Sequence, residues 1–269
     1  MLAAAQTTTL PPLEASVLDA ATERLEGLFA AHGVPESHGS GHAQRVLAHT
    51  RLALEAAVQL DTQPSPSARL ALLLAALLHD SDDRKYFEKS DNAETILAEV
   101  LDDYPEGRAV AASALEAISY VSASANGNSV SAAARADPLL LYPRHADRLE
   151  AIGEVGVVRC WQYSREVGRA LFTTDTPRPA SAAQVFQIAT PERFAAYQAR
   201  GTSASMLDHF YDKLLHLAAP LVRHPNHYIR ALGTLRGLPL TEVCLASRPE
   251  GLGARLELAR ARAEVGRAL

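Results

Sequence analysis

ARLALLLAALLHDSDDRKYF, residues 68–87, decides the fold class. From Ala68 to Leu78 every position but Arg69 is apolar, with no alternation of polar and apolar residues. A helix that is apolar on nearly every face belongs in the middle of a bundle. The run is too short to span a membrane. It leads straight into His79 and Asp80, followed by Ser81, Asp82 and Asp83. Burying an imidazole and a carboxylate at the end of an apolar helix is costly unless something offsets the charge. A divalent cation would do so, because both groups ligate first-row metals. The dipeptide alone leaves a second reading open, a helix-end aspartate beside a surface histidine.

Outward from this run the chain reads as helix after helix. Apolar spacing predicts helices over 13–31, 40–60, 91–102, 105–122, 146–168, 182–198, 203–219 and 251–267. Ser67 is a candidate cap for the central helix. The stretches 122–139 and 171–181 read as loops, and no internal repeat is visible. Alanine and leucine favour helix, and aromatic residues are only 6%, few for a β fold. The expectation is an all-α protein. It has a flexible tail over 1–12, one helical bundle over 13–222, and a looser C-terminal extension over 223–269 packed on the same domain.

With 269 residues, 48% of them hydrophobic, the chain can bury a sizeable core. A net charge of -5 makes nucleic acid an improbable partner. The two cysteines, Cys160 and Cys244, form no C-x-x-C pair, so a thiolate metal site and a disulfide framework are not expected. Met1–Pro12 has no basic residue and does not read as a targeting peptide. These features point to a cytoplasmic protein with no membrane partner. They leave a homo-oligomer open.

Two further elements change the weight of His79-Asp80. Upstream, His42 opens a helix in the pattern H-x-x-R-V, with Arg45 one turn on. Downstream, Asp147 lies in HADRLEAIG, residues 145–153. The order is H, then HD, then D, each on a separate expected helix.

This order resembles the metal motif of the HD superfamily. LLHDSDDRKYF (77–87) is similar to the H-D-x-x-D-x-K element of a subgroup of small HD phosphohydrolases. ADRLEAIGEVGVVRC (146–160) resembles that subgroup's A-D-R-L-(D/E)-A-I-G-x-x-G-x-x-R run, and SASMLDHFYDKLLHL (203–217) its S-x-M-x-D-H-(F/Y)-Y-x-K-L-L segment. The likeness covers roughly residues 35–220. It implies a helical HD domain and one divalent metal held by His42, His79, Asp80 and Asp147. It also implies hydrolysis of a phosphate ester or anhydride, often of a nucleotide. Asp83 and Lys85 match the subgroup as well. The chain departs at His145, where bacterial members often carry an acid, and in the last 45 or so residues, which match nothing.

Two imidazoles and two carboxylates leave coordination positions open and suit manganese, iron, nickel or cobalt as well as zinc. If the helix continued past His79, Asp83 would share its face. It would then be a candidate catalytic residue, orienting or deprotonating the attacking water, or else a simple ion-pair partner of Lys85 or Arg84. Lys85, Arg45, Arg148 and Lys213 are candidate phosphate contacts, with Arg148 alternatively bridging carboxylates inside the bundle. His38 and His49 read as surface or loop residues, and Asp82 as a solvated acid. Gly153 and Gly156 mark either a close helix approach or a helix break. The substrate expected is a small phosphorylated metabolite, foremost a nucleotide. An alarmone hydrolase and a catalytically weak nucleotide-binding module are the rivals, the former disfavoured by Arg84 where such hydrolases usually carry a second acid.

Overall fold

The computed structural model describes residues 11–35, 38–57, 63–88, 91–246 and 249–268, and among them no strand occurs. The expected tail at 1–12 and the end of the second helix fall mostly outside the described residues. Helix α1 (Pro12–Ala31) starts at a proline suited to a first helical turn, and α2 runs Ser40–Ala57. No helix among the described residues is long and apolar enough to cross a membrane.

Helix α3 (Pro66–Leu78) is the axis of the bundle, and each residue from Leu70 to Leu78 is at most 3% exposed. It is ringed by α1, α2, α5 (Gly107–Ser119) and α8 (Tyr142–Ala151). Its cap is Ser65, whose hydroxyl accepts from the Ala68 amide with Pro66 at the first position. Ser67, the expected cap, donates instead to Glu106. Helix α4 (Asn92–Val100) completes this side against α1 and α5.

Several expected elements are subdivided. The stretch 122–139 folds into short helices α6 (Ala123–Asn126) and α7 (Ala132–Ala136), followed by a 3-10 turn over Pro138–Leu141. Each is started by a local acceptor, Ser122, Ser131 or Asp137. The helix expected over 146–168 is two, α8 and α9 (Gly153–Glu166). Ile152 is extended and Gly153 has φ +75°, a conformation that favours glycine. Gly153 is thus a break, whereas Gly156 is a close approach: a Cβ there would lie within van der Waals overlap of the Ala151 carbonyl.

Pro191 divides the next helix into α10 (Ala182–Ile188) and α11 (Pro191–Arg200). The segment over 203–219 is α12 (Met206–His209), one π turn over Phe210–Leu214, and α13 (Leu215–Leu221). The region after Pro225 is more regular than expected. Asn226 caps α14 (His227–Leu245), which lies against α2, α8, α9 and α13, and α15 (Pro249–Ala268) lies along α9.

Candidate metal centre

Three helices deliver the four polar side chains to one point. His42 lies in the first turn of α2, His79 and Asp80 directly follow the last residue of α3, and Asp147 is on α8. The His42 Nε2 atom is 3.3 Å from Asp147 Oδ1 and 3.8 Å from Asp80 Oδ2. His79 Nε2 is 3.3 Å from Asp80 Oδ2 and 3.8 Å from Asp147 Oδ1. Potential ligand atoms of His42, His79 and Asp147 all lie within 4.8 Å of one another.

The donors fit a cation. Two atoms each bonded at about 2.1 Å to one ion can be no more than about 4.2 Å apart, and all four contacts meet that limit. His79 Nδ1 donates to the Ala76 carbonyl at 2.9 Å, which orients the ring with Nε2 toward the cluster. Both histidine Nε2 atoms are buried without a hydrogen-bond partner, as is His42 Nδ1. Buried polar atoms are normally satisfied; here the two unsatisfied Nε2 atoms converge.

Electrostatics follow the same pattern. Burial, then the charge of Arg159, holds His42 down at about 4. Burial also works against protonation of His79, but Asp80 and Asp147 overcome it and raise that imidazole to about 9. Burial opposes ionisation of both carboxylates. The His42 imidazole, 3.3 Å away, and the charge of His79 nonetheless hold Asp147 at about 2, and His79 holds Asp80 well below the usual range. The cluster therefore draws positive charge inward.

Beside the cluster lies a cleft whose lining carries the cations Lys85, Arg159, Arg169 and Lys213 and no carboxylate among the described residues. Tyr163 and Tyr197 form its aromatic walls. Lys85 and Arg169 sit over the Tyr163 ring, and Lys213 over that of Tyr197. The helix does not continue past His79, so Asp83 reaches this region through turns and not on the helical face expected of it. Its carboxylate accepts from the Lys85 amide at 3.0 Å and from Lys85 Nζ at 3.1 Å. Burial disfavours the charged Lys85, but Asp83 and Asp80 outweigh it and keep the amine protonated. Asp82 is not a solvated acid; it accepts from the amides of Asn92 and Ala93 at the start of α4.

Two expected phosphate contacts lie elsewhere. Arg148 is 1% exposed and donates to the Gly127 carbonyl, as does Arg144 one turn earlier. It therefore bridges no carboxylate either. Arg45 donates from Nε to Glu150 at 2.6 Å, in a different groove from the cleft. Conversely, His38 and His49 are drawn inward from the surface positions expected. His38 lines the cleft, in contact with Tyr86 and edge-on to Tyr163, and His49 lies 3.1 Å from Glu150. Arg159 and Arg169 were not singled out from the sequence. Arg159 is the last residue of the A-D-R-L…G-x-x-R run, so its signal was present. Arg169 follows α9 in a turn, where no periodicity marks it.

No family model matches the chain. It is 34% identical over 167 residues to the uncharacterized protein L803 of Acanthamoeba polyphaga mimivirus, an alignment covering 58% of this chain and 67% of that one. Among solved structures, a Lactobacillus plantarum protein is similar with a TM-score of 0.59 at 21% identity, over 88% of this chain and 95% of that one. An HD-superfamily hydrolase from Bacillus thuringiensis is similar with a TM-score of 0.54 at 18% identity, over 85% and 93%. Bacillus subtilis YpgQ, solved in complex with ADP, gives 0.52 at 18% identity, over 84% and 90%. The chain belongs to the same family as the mimiviral L803 protein, and its all-helical fold is similar to that of the Bacillus thuringiensis HD-superfamily hydrolase.

Proposed function

We propose that the protein is a metal-dependent phosphohydrolase that cleaves a phosphate ester or anhydride of a nucleotide or another small phosphorylated metabolite. On this reading it works in the cytoplasm, where its two free thiols stay reduced. His42, His79, Asp80 and Asp147 hold one divalent cation. The observation that carries the reading is the convergence of ligand atoms from three helices, the two histidine Nε2 atoms among them unsatisfied, beside a cleft lined among the described residues by cations and no acid. The ADP complex of the structurally similar YpgQ adds weight to a nucleotide as substrate.

A cation in this position would polarise a phosphoryl oxygen and make a water acidic enough to attack near neutral pH. The chain's own residues supply the remainder. Lys85, Arg159, Arg169 and Lys213 neutralise phosphate charge and orient the scissile bond toward the cluster. Asp83 holds Lys85 in the cleft through its two contacts, and its carboxylate is the candidate acceptor for the attacking water's proton. The aromatic walls narrow the cleft and exclude bulk water.

The test is elemental analysis of protein purified without added metal, followed by assay of the loaded protein on nucleotides, an alarmone and generic phosphate esters. About one metal per chain, with turnover that disappears in Asp80→Ala, is expected. Tight nucleotide binding without turnover in the loaded wild type would replace the enzyme by a binding module. Turnover of the alarmone alone would select that rival substrate.

A further inference from the structure

Glu150 is fully buried, one turn after Asp147 on α8, and it is the most heavily partnered carboxylate near the cluster. Its oxygens meet Arg45 Nε at 2.6 Å, His49 Nε2 at 3.1 Å and Arg236 Nη1 at 3.0 Å. Its backbone carbonyl accepts from Arg159 at 3.3 Å. The residue therefore joins four helices: α2 with His42, α8 with Asp147, α9 with Arg159, and α14.

The register makes this more than a surface network. His42 faces Asp147, and three residues further along each helix Arg45 faces Glu150. The two contacts are successive rungs between the same helix pair. A lower rung held by a short charge-assisted bond fixes the separation of the upper one, where ligand donors have a tolerance of about half an ångström.

Helix α14 locks the arrangement from outside. Arg236 Nη1 donates both to Glu150 and, at 2.7 Å, to the Leu149 carbonyl. Its methylene groups lie over Gly153, where a Cβ would come 2.9 Å from Arg236 Cγ. That is the corner between Asp147's helix and Arg159's helix. Arg236 comes from the C-terminal region that matched no motif in the sequence.

We propose that Glu150, clasped by Arg45 and by Arg236 of α14, is a positioning residue for the metal centre. It sets the spacing of His42 and Asp147 without touching metal or substrate. This rests on the metal-dependent reading above.

The test uses the full chain stripped of metal and titrated with Co2+, followed by visible absorption. Wild type is compared with Arg236→Met, Arg236→Lys and Glu150→Gln. Arg236 is about a quarter exposed, so Arg236→Met is expected to remain folded by circular dichroism. It should bind Co2+ about tenfold more weakly, as loss of outer-sphere support does at other metal sites. Its ligand-field bands should shift, and kcat should fall with little change in KM. Arg236→Lys should recover most of the affinity, and Glu150→Gln should be weaker still. If Glu150→Gln fails to fold, Arg236→Met decides. A folded Arg236→Met with wild-type affinity and spectrum overturns the proposal while leaving the metal reading intact. Wild-type protein that takes up no Co2+ overturns the metal reading, and this inference with it.

Discussion

Two clusters of acids and their partners, one around Asp208 and one around Asp147, differ in one respect. Around Asp208 both carboxylate oxygens are answered. Its Oδ2 accepts from Thr176 at 2.8 Å and Ser205 at 2.7 Å, and its Oδ1 from Arg193 at 2.8 Å. Arg193 also donates to Asp212 at 2.7 Å. Around Asp147 the Nε2 atoms of His42 and His79 face the carboxylates with no hydrogen-bond partner. Both clusters sit in runs that stand out in the sequence. What separates them is satisfaction: a closed hydrogen-bond network is scaffold, and an open one aimed at a common point is the arrangement on which the proposed metal site rests.

The most severe way to test that contrast is to remove one acid from each cluster. Asp147→Asn should lower turnover by about a hundredfold to a thousandfold, since it removes a ligand from the charge that stabilises the reacting phosphate. The metal-free variant should melt a little below metal-free wild type, because the ionised Asp147 beside His79 stabilises the metal-free fold. Differential scanning calorimetry with and without metal checks both parts. Wild type should gain stability on metal addition by mass action, and the variant should gain less.

Asp208→Ala should do the reverse. It leaves Arg193, Thr176 and Ser205 without their shared acceptor, and breaking a buried pair in this way costs about 3–5 kcal/mol. Urea unfolding would read that loss. The folded fraction should still bind metal with wild-type stoichiometry. Loss of metal in proportion to catalysis would mean that the two clusters are one functional unit, and the contrast would fail.

Lys213 lies in the π turn after Asp208 and lines the cleft, its ammonium over the Tyr197 ring. Lys213→Ala should raise KM about tenfold, the worth of one charge-assisted contact of about 1.5 kcal/mol. Metal affinity should not change. A fall in metal affinity instead would place Lys213 with the cluster and not with the substrate.

How much of this was legible in the sequence depends on helical phase. The central α3 and the order of His42, His79, Asp80 and Asp147 were readable, because a buried charge at the end of an apolar helix demands a reason. Arg148 stands beside Asp147 in sequence. One residue is about 100° of helix, however, and that rotation carries its side chain into the core toward Gly127. Arg45 shares a face with His42, but that face is the α2–α8 interface, so it meets Glu150 and not a substrate. The π turn over Phe210–Leu214 depends on tertiary packing around Asp208 and leaves no periodic mark. Helix α14 was hidden by Gly233, Gly237 and Pro239, residues that discourage helix locally and are overruled by packing on α9 and α13.

The smallest expected effect concerns acid. His209 is held well below its ordinary value, first by burial and then by Lys213, Arg169 and Lys85. His224 is pushed down to about 4, mainly by burial and then by Arg230. Both are neutral in the folded state. The unfolded chain takes up protons on them as pH falls below about 6.5, so their contribution to stability is lost on acidification. Between pH 7 and pH 6 the loss is at most about 0.7 kcal/mol for each. The two should separate when pyrophosphate is added. It would neutralise the cleft cations that face His209 and leave His224, outside the cleft, unaffected. Histidine proton NMR would then show His209 titrating at higher pH while His224 stays in place. Equal movement of both, or of neither, would mean that the cations of the cleft do not receive phosphate.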